Sequence, residues 1–250
     1  MEVDQRKDWI ALNNWKDAWF IFTRDMRKDR LYFILTVIFM IYTGFVLQIM
    51  IHSRIEAQVI LNPMVDLMMM MMVPLIGFYF TRRSFSYIKE DSYSQMLMYY
   101  RTLPIPTEVV VLSRYIQMGT AIILNGIILF GVMYVSPLGL YDMNFTDYLV
   151  FVLTWVGFAM MINPLYIHFE LLYKGRMYMI QTLLVILCTI ILALIIAALG
   201  GNVVLLSIEC SNQFGFESPL MWGALILGYI MIRTIGKMTK YKLDQRSFVK

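Results

Sequence analysis

Charged side chains are scarce in this chain: Asp, Glu, Lys and Arg make up 15% of its 250 residues, against 60% hydrophobic. Soluble domains keep roughly a quarter of their residues charged, so a surface built for water is excluded. Cysteine is nearly missing as well. Cys188 lies in an apolar run and Cys210 in a polar connection, which gives neither an internal disulfide nor a CxxC pair. The only histidines, His52 and His168, are too few and too far apart for the convergent ligands a metal needs. No GxxxxGK[ST] loop is present to cradle nucleotide phosphates. The start, MEVDQRKDW, has no apolar core followed by a small-residue cleavage site, so no cleavable signal peptide is expected.

Apolar sequence takes up nearly the whole chain, with a mean hydropathy of +0.66. A helix needs about 20 predominantly apolar residues to cross the hydrocarbon core. Six stretches qualify, at about 31–51, 63–80, 109–135, 148–169, 177–199 and 219–235. The reading is one all-α transmembrane domain over 1–250 with six spans, leaving no room for a separate globular domain. Six spans sort the loops into two sets, and 20 of the 21 Lys and Arg residues fall on the side that holds both termini. Only Arg54 falls on the other. The positive-inside rule then predicts a multi-pass protein of the cell membrane with both ends cytoplasmic.

Three connections carry pattern of their own. In 9–28, Trp9, Leu12, Trp15, Trp19, Phe22 and Met26 recur at helical spacing beside basic residues, which predicts an amphipathic elbow helix in the headgroup layer. The segment 82–106 lacks proline and glycine from Ser84 to Tyr100 and clusters Lys89, Glu90 and Asp91. One stiff helix is expected there, stopped by Pro104 and Pro106, with Thr107 as the N-cap of the next span. The connection from Gly200 to Ser218 holds an apolar run too short to cross, which reads as a half-helix at the outer surface.

These features in this order, with RTLPIPTEVVVLSRY leading into the third span, resemble the permease subunit of type-2 ABC exporters. The resemblance covers nearly the whole chain. It implies a substrate pathway formed by two permeases, identical or homologous, with two separate ABC-type ATPases below. The ATPases would bind ATP and magnesium; this chain would carry no cofactor of its own. The resemblance makes 82–106 the coupling segment. Tyr87, Lys89, Glu90, Asp91, Tyr93 and Arg101 are expected to meet the ATPase, and Pro104 and Pro106 to stiffen the exit.

Within the spans, Asp66 reads either as a pathway group or as a residue at outer headgroup level. Asn163-Pro164 could kink the fourth span as a gate or serve packing. The run Met68 to Met72 reads as adaptable packing, since five consecutive residues cannot share one face of a helix. Glu170 and His168 read as interfacial anchors. Expected partners are the ATPase, a second permease and membrane lipids, with no nucleic acid. Two other classes compete: a non-transporting binding, immunity or sensory protein, and an intramembrane enzyme, for which Asp66 is almost the whole inventory.

Overall fold

Long apolar runs become long helices here because a buried or lipid-facing backbone has no partner other than itself. The computed structural model describes residues 2–57, 62–103, 105–136 and 143–246. Its helices in chain order are α1 (Glu2–Lys28), α2 (Arg30–Ala57), α3 (Asn62–Met72), α4 (Arg82–Glu90), α5 (Ser92–Thr102), α6 (Thr107–Val135), α7 (Phe145–Leu172), α8 (Gly175–Ala198), α9 (Val203–Phe214) and α10 (Pro219–Gln245). Short 3-10 turns cover Val73–Gly77 and Gly215–Glu217. By length and composition, α2, α6, α7, α8 and α10 can each cross a membrane. The chain is an all-α, multi-pass membrane protein.

The stretch expected to be a second span has a different form. After α3 the chain tightens into the 3-10 turn Val73–Gly77 and then runs extended from Phe78 to the cap at Thr81. Its apolar helical part, Pro63–Gly77, is shorter than the other five. It still leads from one end of the bundle to the other. Asp66 meets the start of α9, whereas Phe80 N–H donates to Thr36 Oγ1 near the start of α2. At about 1.5, 2.0 and 3.3 Å per residue for helix, 3-10 turn and extended chain, the stretch covers roughly 40 Å. The freed carbonyls are covered by protein: Asn125 Nδ2 of α6 donates to Ile76 O at 3.0 Å and to Phe78 O at 2.8 Å. Non-helical backbone at membrane depth survives only when covered in this way.

Helices α6 and α7 form the centre, and α10 lies along α7. Small residues set that contact. A Cβ on Gly157 would meet Ala224 at 2.8 Å, and one on Gly228 would meet Met160 Cβ at 2.8 Å. Ala224 and Gly228, one turn apart, form the small-xxx-small pattern that lets helix backbones approach closely. Helix α8 is the outlier, with only 6% of its apolar window buried.

Helix α1 turns Ala18 and Ile21, not its tryptophans, to the bundle. Ala18 and Ile21 are buried, while Trp15 and Trp19 are 52% and 45% exposed and Phe20 is 66% exposed. The helix packs on α6 through Ala18, which lets α1 approach closely. The side chains of Trp9 and Leu12 lie outside the described residues.

Candidate functional site

The expected single coupling helix is two helices joined at an elbow. Thr81 starts α4 by accepting the N–H of Ser84, and the helix ends at Asp91, which adopts φ 47° in the left-handed region. Asp tolerates that conformation better than most residues because its short side chain bonds locally. Here its Oδ1 accepts the N–H of Gly175, at the start of α8, at 2.7 Å. The Tyr87 carbonyl presses on Gly175 so closely that a Cβ there has no space. Asp91 and Gly175 therefore fit each other, and sequence spacing alone does not reveal such a contact.

Tyr87 and Tyr93 turn inward. Their rings stack at 5.7 Å, and each meets Tyr178 of α8 edge-on, at 5.2 and 5.3 Å. Burial pushes the Tyr93 phenol well above its ordinary range, so the ring remains a neutral packing element. Lys89 and Glu90 are exposed at the tip of the elbow. Ile88 adds exposed apolar area beside them at 46%, and Met98 and Tyr99 are exposed further along α5, at 47% and 55%. Pro106, rather than Thr107, is the N-cap of α6. Pro104 and the side chain of Arg101 lie outside the described residues.

Beneath the elbow lies a cluster of four charged side chains from four helices. Asp25 of α1 accepts from Arg83 of α4 at 3.0 Å and from the Tyr100 hydroxyl of α5 at 3.1 Å. Arg114 of α6, 8% exposed, stands 3.8 Å from Asp25 and 3.6 Å from Glu170 of α7. With Arg24, whose Nη2 lies 3.7 Å from Asp25 Oδ1, three cations face two carboxylates. Arg114 also donates to Gln117 Oε1 at 2.7 Å and to the Met96 sulfur. Burial opposes ionisation of Asp25, but Arg114 and Arg83 outweigh it and hold the carboxyl below its ordinary value. Burial raises the Tyr100 phenol, which stays a donor.

The fit is loose. Asp25 Oδ1 and Arg114 Nε make no hydrogen bond, and the two Arg114 contacts are long for charge-assisted bonds, which run about 2.7–2.9 Å. A cavity of about 30 Å³ opens among Asp25, Tyr79, Arg83, Arg114 and Glu170. That is about one water in volume. Buried ion pairs of this kind add little net stability but are strongly destabilised when one partner is removed. Such a cluster suits a joint that moves between arrangements. Glu170, read from sequence as an interfacial anchor, is instead a partner of Arg114. Asp25 was missed, although it follows Ala18 and Ile21 at spacings of 7 and 4 and shares their face.

The remaining candidates sit deeper or at the opposite end. Asp66 is fully buried; Oδ2 accepts Val203 N–H at 2.7 Å and Oδ1 accepts Val204 N–H at 3.0 Å. With the Asn202 side chain accepting Leu205 N–H, these contacts satisfy the first amides of α9. The polar connection before α10 thus holds the short helix its apolar run had suggested. Asn163 is fully buried beside Gly77, where any Cβ would overlap it, and its amide donates to Ala159 O at 2.8 Å. Helix α7 continues past Pro164 to Leu172. His168 is buried against Thr239 of α10 at 2.8 Å. Near α9, an apolar cleft of about 310 Å³ lies among Met70, Trp155, Phe158, Ala224 and Leu227. Among the described residues, no group of three or more His, Cys, Asp or Glu side chains is placed to hold a metal. Comparison of the chain with protein-family models, with curated proteins and with solved structures gave no match.

Proposed function

We propose that this chain is the membrane-spanning permease subunit of an ATP-driven exporter, working with a second permease and a separate ATPase. In this reading the bundle crosses the membrane six times. The broken stretch from Asn62 to Thr81 is the second crossing, and both termini lie in the cytoplasm. The observation that carries it is the α4–α5 elbow. Its outer side offers Ile88, Lys89, Glu90, Met98 and Tyr99 to a partner, while its inner side is tied to α1, α6, α7 and α8. A push on the tip is conveyed through Arg83, Asp25 and Arg114 to Glu170, on one of the longest helices of the bundle. Exposed apolar residues flanking charges match the composition of interface anchors.

Because Lys89 and Glu90 lie at the tip and Asp91 inside, the outer face can be altered without touching the pin. The charge swap Lys89→Glu with Glu90→Lys, and separately Ile88→Asp with Met98→Asp, leave the internal pins intact. The function requires that an ATPase co-purify with the tagged chain and that Ile88→Asp/Met98→Asp release it, with export lost. An unchanged complex and unchanged export in both variants overturn it.

A second function, a membrane protein that sequesters an apolar ligand without turnover, is favoured by the 310 Å³ cleft. Under that reading no ATPase accompanies the chain.

A further inference from the structure

The exposed face of α10 changes character partway along the helix. Ile226, Tyr229 and Ile230 are 55%, 54% and 49% exposed, on a helix long and apolar enough to cross a membrane. Beyond them come Arg233 and Lys237, both exposed. Tyr229, Arg233, Lys237 and Tyr241 recur every fourth residue, a spacing that keeps neighbours on one side of a helix. Ile235, Thr239 and Leu243 form the buried side of the same stretch.

The ladder is partly built. Arg233 Nε donates to the Tyr229 hydroxyl at 3.0 Å, and its guanidinium carbon stands 5.5 Å from the centre of that ring. Tyr229 thus holds the guanidinium and leaves its terminal N–H groups for another acceptor. Among the described residues, neither Arg233 nor Lys237 has a carboxylate in ion-pair range. The nearby acids are placed elsewhere. Glu108 of α6 is taken by Lys240 at 2.8 Å, Glu170 of α7 meets Arg114, and Asp244 lies two turns beyond Lys237.

The order of residues fixes the depth. A face that is apolar up to Ile230 and basic from Arg233, with a tyrosine on each side of the two cations, crosses from hydrocarbon to water at headgroup level. Arg233 and Lys237 are about 6 Å apart along the axis, within reach of one phosphate.

We infer that Tyr229, Arg233 and Lys237 form a binding site on the outer face of α10 for the phosphate of an anionic phospholipid, whose acyl chains lie on Ile226 and Ile230. Arg233 presents paired N–H groups to two phosphate oxygens, and Lys237 adds a point charge. A zwitterionic headgroup would bring its own cation against Lys237. The site is independent of the exporter reading, since it needs no ATPase and holds for either orientation of the chain.

The test uses the whole chain in detergent, with native mass spectrometry after addition of phosphatidylglycerol or phosphatidylcholine of equal chain length. Phosphatidylglycerol is expected to be retained well above phosphatidylcholine. Each basic residue near an anionic surface contributes roughly fivefold in affinity. Arg233→Gln/Lys237→Gln is therefore expected to weaken retention about 25-fold, whereas Lys237→Arg keeps it. Tyr229→Phe removes no charge but frees the guanidinium, and is expected to weaken retention about threefold. Lys28→Gln/Arg82→Gln removes equal charge elsewhere and is expected to have no effect. Equal retention of the two lipids, or equal loss in the Lys28/Arg82 variant, overturns the site. Unchanged retention in Tyr229→Phe reduces the binding to diffuse surface charge and overturns it as well. Displacement of the lipid by millimolar inorganic phosphate assigns the cations to a free anion and overturns the lipid.

Discussion

The Asp91 carboxylate accepts the Gly175 amide at 2.7 Å, pinning the α4–α5 elbow to the first residue of α8. The contact combines a left-handed backbone at Asp91 with an acid at a helix N-terminus, each of which restricts the residue that fits. Asp91→Asn keeps an acceptor and tolerates φ 47°. Asp91→Gly relieves the backbone but loses the pin, and Asp91→Ala loses both. Thermal unfolding in detergent is expected to rank them Asn, Gly, Ala from most to least stable. Losses should reach about 1–2 kcal/mol for alanine. Alanine matching asparagine would show that the contact carries no weight.

Removing one member of the ion cluster strands another buried charge. Asp25→Asn or Glu170→Gln should each cost about 3 kcal/mol or more. Pairing Asp25→Asn with Arg83→Gln should cost less than the sum of the single changes, because the stranded cation leaves with its partner. Additive losses in the double-mutant cycle would separate the two residues energetically.

Asp25 also sets a pH dependence. Its folded carboxyl sits below the ordinary value of 3.8, so its unfolded form takes up a proton first. Its contribution is then fully present above about pH 4 and is lost as the pH falls through the folded value. The gap between unfolding curves of the native chain and Asp25→Asn should begin to narrow as the pH falls below about 4. A constant gap down to pH 3 contradicts this assignment.

Close packing of α7 on α10 predicts opposite responses at two glycines of one helix. Gly228→Ala forces Met160 to move and should destabilise by about 1–3 kcal/mol. A Cβ at Gly223 meets nothing within 4 Å, so Gly223→Ala should be neutral, or stabilising by up to about 1 kcal/mol. Equal effects at both positions would mean that the helices do not meet through Gly228.

Orientation is testable by thiol labelling in a background lacking Cys188 and Cys210. Ser53→Cys and Asn212→Cys should react with an impermeant reagent on intact cells, and Gln95→Cys only after the cells are opened. Gln95 is exposed on the elbow, whereas nearby Ser94 is 3% exposed and would report burial instead of sidedness. Labelling at Gln95 in intact cells overturns the proposed orientation.

The sequence by itself determined the helical membrane class, because about 20 apolar residues in a row impose a helix whatever lies around them. It also determined the presence of a short apolar helix before the last long helix. Only the tertiary structure decided that 63–81 breaks from helix into a 3-10 turn and an extended end. Its extended end depends on Asn125, which donates to Phe78 O, and on Thr36, which accepts the Phe80 N–H, each 44 or more residues away in sequence. The same holds for the elbow, where Ser84 to Tyr100 contains no helix breaker and the bend rests on Asp91 meeting Gly175. Asp25, Arg83, Arg114 and Glu170 are spread over 146 positions, with no spacing that announces them. Helical periodicity gives the face of one helix, but which faces meet is settled by the small residues that allow close approach. Ala18 and Ile21 set the inward face of α1, and Asp25, one turn on from Ile21, comes inward with them.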